Sequence, residues 1–173
     1  MRAIRYSFLA ICLMLSGAFL HASVFAQDVE LRQISRFSKK PLPRFESLRY
    51  SAVHGRKGPT LDHPILWRYE RKGLPVLVLR ETHGWRRVRD ADGDEVWLQA
   101  RMLSEERTVL VVQDEILYRR SGDRSTQIAK VIPGLVASLI GCEADWCRIE
   151  VHKRVGWVRR QALWGTLKGT GPV

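Results

Sequence analysis

Apolar and polar positions follow one another in short runs along most of the chain. Runs of four to seven residues rich in Val, Leu and Ile recur every 8 to 12 residues, separated by turn signals such as Asp92-Gly93 and Pro133-Gly134. After residue 26 no stretch keeps a helical period for more than two turns. Single 3₁₀ turns are predicted over 99–103 and 159–163. The pattern therefore predicts an all-β protein.

The strand pattern occurs twice, which indicates an internal duplication. The matching segments are 73–79 with 134–140 and 85–88 with 146–149, both at an offset of 61, and 97–103 with 157–163 at an offset of 60. Each unit holds about 55 residues, which makes it marginal alone, so we expect the two units to pack on each other. Residues 108–112 form the natural join between them.

The first 26 residues are typical of a secretory signal peptide. Arg2 and Arg5 precede an apolar run of about 13 residues, shorter than the roughly 20 that a membrane span needs. Small residues before Gln27 predict cleavage after Ala26; a retained anchor is the alternative. The predicted location is periplasmic or secreted, with no stable membrane span after cleavage. The rest of the chain is predicted to form an extended, mobile lead-in over 27–45, two domains over 46–107 and 108–166, and a tail over 167–173.

Charge and export together narrow the class of partner. The chain carries 29 Lys and Arg against 18 Asp and Glu, a net charge of +11 that falls to +9 when two arginines leave with the signal peptide. Such a balance favours polyanionic partners. Outside the cytoplasm these are phosphates of the envelope or peptidoglycan carboxylates, and nucleic acid is excluded. A solvated basic surface without a partner is the plain alternative.

Two cysteines remain after cleavage, Cys142 and Cys147. They flank a four-residue turn between two strand-like runs, and in an oxidising compartment this predicts a disulfide across a hairpin. A redox pair usually has two intervening residues, and zinc would need more ligands than His152. In the first unit Glu81 and Arg86 take the places of the cysteines, which predicts an opposite-charge cross-strand pair there.

Several segments together resemble a known family. They are 56–59, 64–69, 72–76, 84–90 and 96–97 in the first unit, and 156–158 with 162–165 in the second. The chain resembles bacterial Src-homology-3-like domains, closest to the exported branch that carries two of them after a signal peptide. The resemblance implies two small SH3-like β-barrels in tandem without catalytic residues, used as an envelope-targeting or protein-binding module.

Motifs of catalysis and cofactor binding are missing from the sequence. It has no His-Glu-x-x-His, Gly-x-Ser-x-Gly, phosphate loop or dinucleotide fingerprint. The acidic run 90–95 has alternating carboxylates that could hold calcium, but its glycine stands two positions too early for an EF-hand loop. A hairpin turn is therefore predicted there. We expect no enzyme activity, no cofactor and no metal.

Aromatic and basic side chains are the remaining candidates for a ligand site. Four tryptophans recur at matching places in the two units, which predicts that they pack the barrels: Trp85, Trp97, Trp146 and Trp157. A second set could line a groove that takes sugar or peptide on aromatic faces and anions on guanidinium groups. The members of that set are Arg56, Trp67, Tyr69, Arg86 and Arg89. Alternatively, Trp67 fills the interface between the barrels.

The predicted function is that of a non-enzymatic exported binding module of the bacterial cell envelope. Its first expected ligand is peptidoglycan or another anionic envelope component. The alternative is a structural adaptor that binds another envelope protein.

Overall fold

The computed structural model describes residues 33–167, so the predicted signal peptide and most of the predicted tail lie outside the described residues. The described chain is almost entirely β-structure, as the sequence pattern predicts. A two-stranded ribbon comes first and pairs its strands antiparallel. Its strands are β1 (Gln33–Ile34) and β2 (Pro41–Leu42).

The first barrel is a seven-stranded antiparallel sheet with the strand order β5-β4-β8-β7-β6-β3-β9. Its strands are β3 (Arg44–Leu48), β4 (Val53–Arg56), β5 (Ile65–Tyr69), β6 (Pro75–Thr82), β7 (Trp85–Arg89), β8 (Glu95–Gln99) and β9 (Leu103–Ser104). A 3₁₀ turn, η1 (Ala100–Met102), precedes β9. The acidic run forms the β7–β8 turn, where Asp90 accepts hydrogen bonds from the backbone N–H groups of Asp92 and Asp94.

The second barrel repeats this topology with the strand order β12-β11-β15-β14-β13-β10-β16. Its strands are β10 (Thr108–Val111), β11 (Glu115–Tyr118), β12 (Gln127–Val131), β13 (Val136–Glu143), β14 (Trp146–Val151), β15 (Arg154–Arg159) and β16 (Leu163–Trp164). The 3₁₀ turn η2 (Arg160–Ala162) takes the place of η1. Because every strand has its counterpart in the first barrel, the duplication predicted from the sequence is confirmed, and so is the fold class.

The two barrels pack on each other, as expected for units of this size. The Thr108 hydroxyl at the start of β10 donates to the Gly73 carbonyl at 2.6 Å. The Trp164 indole N–H donates to the Pro75 carbonyl at 3.2 Å, and its ring meets Phe45 edge-on at 5.1 Å between centroids. Hydrogen bonds and an aromatic pair therefore connect the second barrel to the first.

Branched aliphatic side chains, not tryptophans, fill the two cores. The first core holds residues such as Val78, Val88 and Leu98, and the second holds Val109, Ile149 and Val158 among others. The prediction that the four recurring tryptophans pack the barrel interiors is therefore wrong. Each is half-buried on the outer side of a sheet, because its neighbours along the strand point inward and strand side chains alternate between faces. The four half-buried tryptophans are Trp85, Trp97, Trp146 and Trp157.

The described part of the predicted lead-in is attached to the first barrel. The Ser35 side chain is buried and donates a hydrogen bond to Glu81, and Leu42 belongs to the first core. β3 already begins at Arg44, two residues before the predicted domain start. Residues 33–45 are thus part of the folded unit. The Ser35 hydrogen bond to Glu81 on β6 and the buried Leu42 side chain hold the ribbon against the first barrel.

A buried cluster of charges stands at one end of the first barrel. Glu81 pairs with Arg86 across β6 and β7, as predicted, at 3.0 Å between Oε1 and Nε. Arg44 from β3 pairs with both Glu81 and Glu46. The Arg44 Nη2 atom lies 2.6 Å from Glu46 Oε1. The carboxylates are almost inaccessible, with side-chain exposures of 2% for Glu81 and 3% for Glu46.

The second barrel replaces this cluster with apolar atoms. Cys142 and Cys147 occupy the paired positions of Glu81 and Arg86 and form the predicted disulfide, which is confirmed. Val109 stands at the register position of Glu46, since it pairs with Ala137 on β13 as Glu46 pairs with Val76 on β6. The same barrel end is therefore closed by ion pairs in one copy and by a covalent bond in the other.

One pair of facing core positions holds a glycine and a larger residue in both barrels, but in the opposite order. In the first barrel Gly55 on β4 packs against Val96, and a Cβ on Gly55 would lie 2.7 Å from Val96 Cγ2. In the second barrel the larger residue is on the other strand. A Cβ on Gly156 would lie 2.6 Å from Leu117 Cγ.

This exchange predicts a compensating pair of substitutions. Gly55→Leu alone overfills the first core and should lower the free energy of unfolding by about 1–3 kcal/mol. Adding Val96→Gly reproduces the arrangement of the second barrel and should return part of that loss. Urea titration followed by tryptophan fluorescence measures both variants. A double variant less stable than Gly55→Leu would show that the two positions do not share one space.

Candidate functional site

The structure places the five predicted ligand residues in three different locations. Arg86 lies in the buried charge cluster, where it also donates to the Ala100 carbonyl at 3.1 Å. Tyr69 is 6% exposed, and its hydroxyl donates to Asp90 Oδ2 at 2.9 Å. Burial raises the pKa of Tyr69, and the neighbouring carboxylates of the β7–β8 turn raise it further. Both side chains are engaged in internal contacts, and the five predicted residues do not form one groove.

Trp67 lies apart from Arg86 but beside Tyr69, in a cleft at the edge of the first barrel. Its side chain is 48% exposed. The cleft has a volume of about 230 Å³ and is lined by Tyr69, Pro75 and Asp92 as well as by Leu110 of the second barrel. The sequence predicts two alternatives for Trp67, a place in a ligand groove and a place in the interface between the barrels. The cleft has features of both, because residues of both barrels line it and it is open to solvent.

Arg56 and Arg89 lie on the outer face of the first sheet. Strand register decides this placement, because residues paired across neighbouring strands share a face. Arg56 on β4 pairs with Trp97 on β8, and Trp97 pairs with Arg87 on β7. Arg80 on β6 pairs with Arg87 in turn. We call the four arginines with Trp97 the arginine face: Arg56, Arg80, Arg87, Arg89 and Trp97.

Hydrogen bonds and ion pairs hold three of the four guanidinium groups of the arginine face in place. Arg56 Nη1 donates to the carbonyls of Leu61 and His63 at 2.9 and 2.7 Å, which fixes its side chain against the β4–β5 loop. Arg87 and Arg89 share Glu95 at 2.7 and 2.6 Å. Four positive charges thus face one carboxylate, and the face keeps a positive excess.

The arginines of this face lower the pKa of Glu95. Hydrogen bonding from Arg89 is the largest cause; burial opposes it, and the charges of Arg87 and Arg89 act in the same direction as the hydrogen bond. Both arginine side chains remain accessible, at 43% and 45% exposure. Each therefore has donors left for an anionic ligand, because a guanidinium carries five N–H groups.

The corresponding face of the second barrel lacks this charge. Trp157 and Arg148 stand at the places of Trp97 and Arg87 and pair with each other. Tyr118 takes the place of Arg56 and Gly141 that of Arg80. The position of Arg89 holds Glu150, which reverses the sign. The duplication therefore supplies an internal comparison in which a shared scaffold carries a basic face in one copy only.

Sequence reasoning did not find three members of the arginine face. It assigned Trp97 to barrel packing, and it singled out neither Arg80 nor Arg87 as ligand residues. The signal that could have found them is alternation along β7, where Arg87 and Arg89 stand two residues apart on one side and Val88 on the other. The pairing of Arg87 with Arg80 depends on a bulge in β6, which the sequence does not show.

Metal and membrane features are absent from the part of the chain that the structure describes. Residues 33–167 contain no group of three or more His, Cys, Asp or Glu side chains placed to hold a metal ion. Within the same residues, no helix has both the length and the apolar character to cross a bilayer.

The fold defines a class, a tandem pair of SH3-like β-barrels. The bacterial SH3 domain family matches the sequence twice, over residues 50–105 and 113–165. The chain belongs to that family, a family of binding domains, and carries two copies of its domain. Family membership and the disulfide both fit an extracytoplasmic protein of the cell envelope.

Solved structures similar to the chain include NlpC2 and NlpC1 from Trichomonas vaginalis. NlpC2 is 17% identical, with a TM-score of 0.36 over 76% of this chain and 51% of that one. NlpC1 is 17% identical, with a TM-score of 0.34 over 79% of this chain and 50% of that one. The chain thus spans about half the length of each. Among curated proteins, none matches the sequence.

Proposed function

We propose that this protein is a non-enzymatic binding module of the bacterial envelope, periplasmic or secreted after cleavage behind Ala26. Its proposed ligand is peptidoglycan or another anionic envelope component. The arginine face is the observation that carries this proposal. It combines an indole ring, which offers a stacking surface for sugar or peptide, with arginines that pair with carboxylates or phosphates.

The asymmetry between the barrels supports this assignment. A scaffold that only needed solubility would have no reason to collect basic residues on one copy and to neutralise the equivalent surface of the other. The second barrel keeps the tryptophan and one arginine, so the flanking charges of the first barrel are not required by the fold.

Binding to isolated sacculi should depend on the arginine face. We expect the purified protein to co-sediment at low salt and to be released as salt rises, because exposed ion pairs are screened. Arg80→Gln with Arg87→Gln should weaken binding by about tenfold, since two exposed ion pairs contribute about 0.7 kcal/mol each. Glu95 keeps Arg89 as its partner in that variant.

The matched control is Arg148→Gln, which removes the equivalent arginine of the second barrel and should leave binding within a factor of two. If the control loses as much binding as the double variant, net charge and not the arginine face is responsible. Absence of pelleting at low salt would contradict the proposed ligand.

A second candidate function is that of an adaptor for another envelope protein. It is favoured by the exposed apolar residues on β5, which include Ile65 and Leu66 at 47% and 52% exposure. Exposed apolar patches of this kind are more typical of protein contacts than of glycan contacts.

A further inference from the structure

Strand β5 forms an open edge of the first sheet. It pairs with β4 on one side, and on the other side no strand of residues 33–167 pairs with it. Three successive residues of this edge are exposed and apolar, namely Ile65, Leu66 and Trp67 at 47%, 52% and 48%. An edge strand with free backbone groups and an apolar row is a template for pairing with another extended chain.

The equivalent edge of the second barrel lacks this row. Gln127 on β12 pairs with Tyr118 as Ile65 pairs with Arg56, and Ala129 pairs with Leu117 as Trp67 pairs with Gly55. The residue between them, Ile128, packs against the second core. The second barrel has the same fold with a polar and a small residue at these two edge positions. The fold therefore does not require the exposed apolar residues on β5.

The cleft beside Trp67 is acidic. Arg68 and Glu70 offset each other at 3.4 Å between Nε and Oε1. Asp90 and Asp92 also line the cleft, and within residues 33–167 neither takes part in an ion pair with Lys or Arg. The Asp90 carboxylate accepts from the Tyr69 hydroxyl and from two backbone N–H groups, and no Lys or Arg of the described residues pairs with it.

We propose that the β5 edge binds an extended segment of a partner protein as an added strand. Aliphatic side chains on one face of the segment pack on Ile65, which shares the outer face with Arg56, and on the other face a Lys or Arg side chain enters the acidic cleft beside Trp67. Backbone hydrogen bonds supply affinity in this mode and side-chain pockets supply specificity. The cleft charge selects a basic segment.

A second copy of this chain fits the edge less well. The basic residue that β5 itself offers is Arg68, which already pairs with Glu70, so β5 of another copy has no free cation for the cleft. The arginine face lies on the outer side of the sheet, whereas the cleft lies on the side of Tyr69 and the core. The inference therefore stands apart from peptidoglycan binding.

The test uses a nine-residue capped peptide in which valine alternates with threonine and lysine, titrated into the full chain by calorimetry. Amide hydrogen exchange of residues 65–69 is measured in the same samples. We expect binding with slower exchange on β5. A peptide with glutamate in place of lysine should bind at least tenfold more weakly, and N-methylation of the central valines should abolish binding.

The matched variant carries Ile65→Gln with Trp67→Ala, the residues of β12, and should bind the lysine peptide at least tenfold more weakly while it still binds sacculi. Lys130→Gln on β12 is the control and should change neither. The proposal is overturned by the absence of peptide binding at millimolar concentration, by unchanged affinity in the β5 variant, or by protection that maps to β12. Self-association of the wild type that the β5 variant abolishes would replace the partner segment with a second copy.

Discussion

Replacing Arg44 by methionine is expected to lower the free energy of unfolding by about 3–5 kcal/mol, the cost of breaking a buried ion pair from one side. The substitution leaves Glu46 and Glu81 facing each other with Arg86 as their remaining cation. Both carboxylates are almost fully buried, so water cannot replace the lost donors. Urea titration of the purified protein measures the change.

The second barrel offers a matched control for this substitution. Arg107 stands at the place of Arg44, because its carbonyl accepts from Leu139 on β13 where Arg44 pairs with Val78 on β6. Arg107 is exposed. Arg107→Met should therefore change stability by less than about 0.5 kcal/mol. Equal losses in the two variants would show that the charge cluster has no special role.

Acid should destabilise the first barrel through Glu81. Burial by itself would raise the pKa of Glu81, but hydrogen bonds from Ser35, Ser38, Arg44 and Arg86 outweigh it and lower the pKa to about 2. The folded pKa lies below the unfolded value of about 4.3, so the ionised form contributes stability at neutral pH. That contribution, on the order of 3 kcal/mol, is lost as the pH falls from about 4.5 to 2.

Substitution of Glu81 by glutamine isolates this effect from the other carboxylates. The amide keeps an acceptor for Arg44 but does not titrate, so Glu81→Gln should be less stable at pH 7 and should lose less stability between pH 4.5 and 2 than the wild type. Urea titrations at a series of pH values measure both curves. Parallel curves would assign the acid sensitivity to other groups.

Much of the architecture could be predicted because the duplication makes the chain its own comparison. The matching segments fixed the number of units, and the Cys142–Cys147 pair set the register of one hairpin. From that register followed the pairing of Glu81 with Arg86 in the other copy. Local features of this kind are readable because a hairpin connects residues that are close in sequence.

The site was less predictable because strand register decides which side chains share a face. Arg86 and Arg87 are neighbours in sequence, yet one enters the charge cluster and the other the arginine face. Arg44 and Glu46 reach Glu81 from a strand more than 30 positions away. The tryptophans recur because the duplicated sheets share an outer surface, and recurrence alone does not distinguish an outer surface from a core.

The most direct test of the account compares the indole N–H signals of Trp97 and Trp157 in an NMR titration with soluble peptidoglycan fragments. These two residues occupy the same register position in the two barrels and differ in the arginines around them. The account predicts that the Trp97 signal moves with ligand concentration while the Trp157 signal stays within the scatter of unaffected residues. Equal shifts at both, or a shift at Trp157 alone, would contradict a binding surface built on the first barrel.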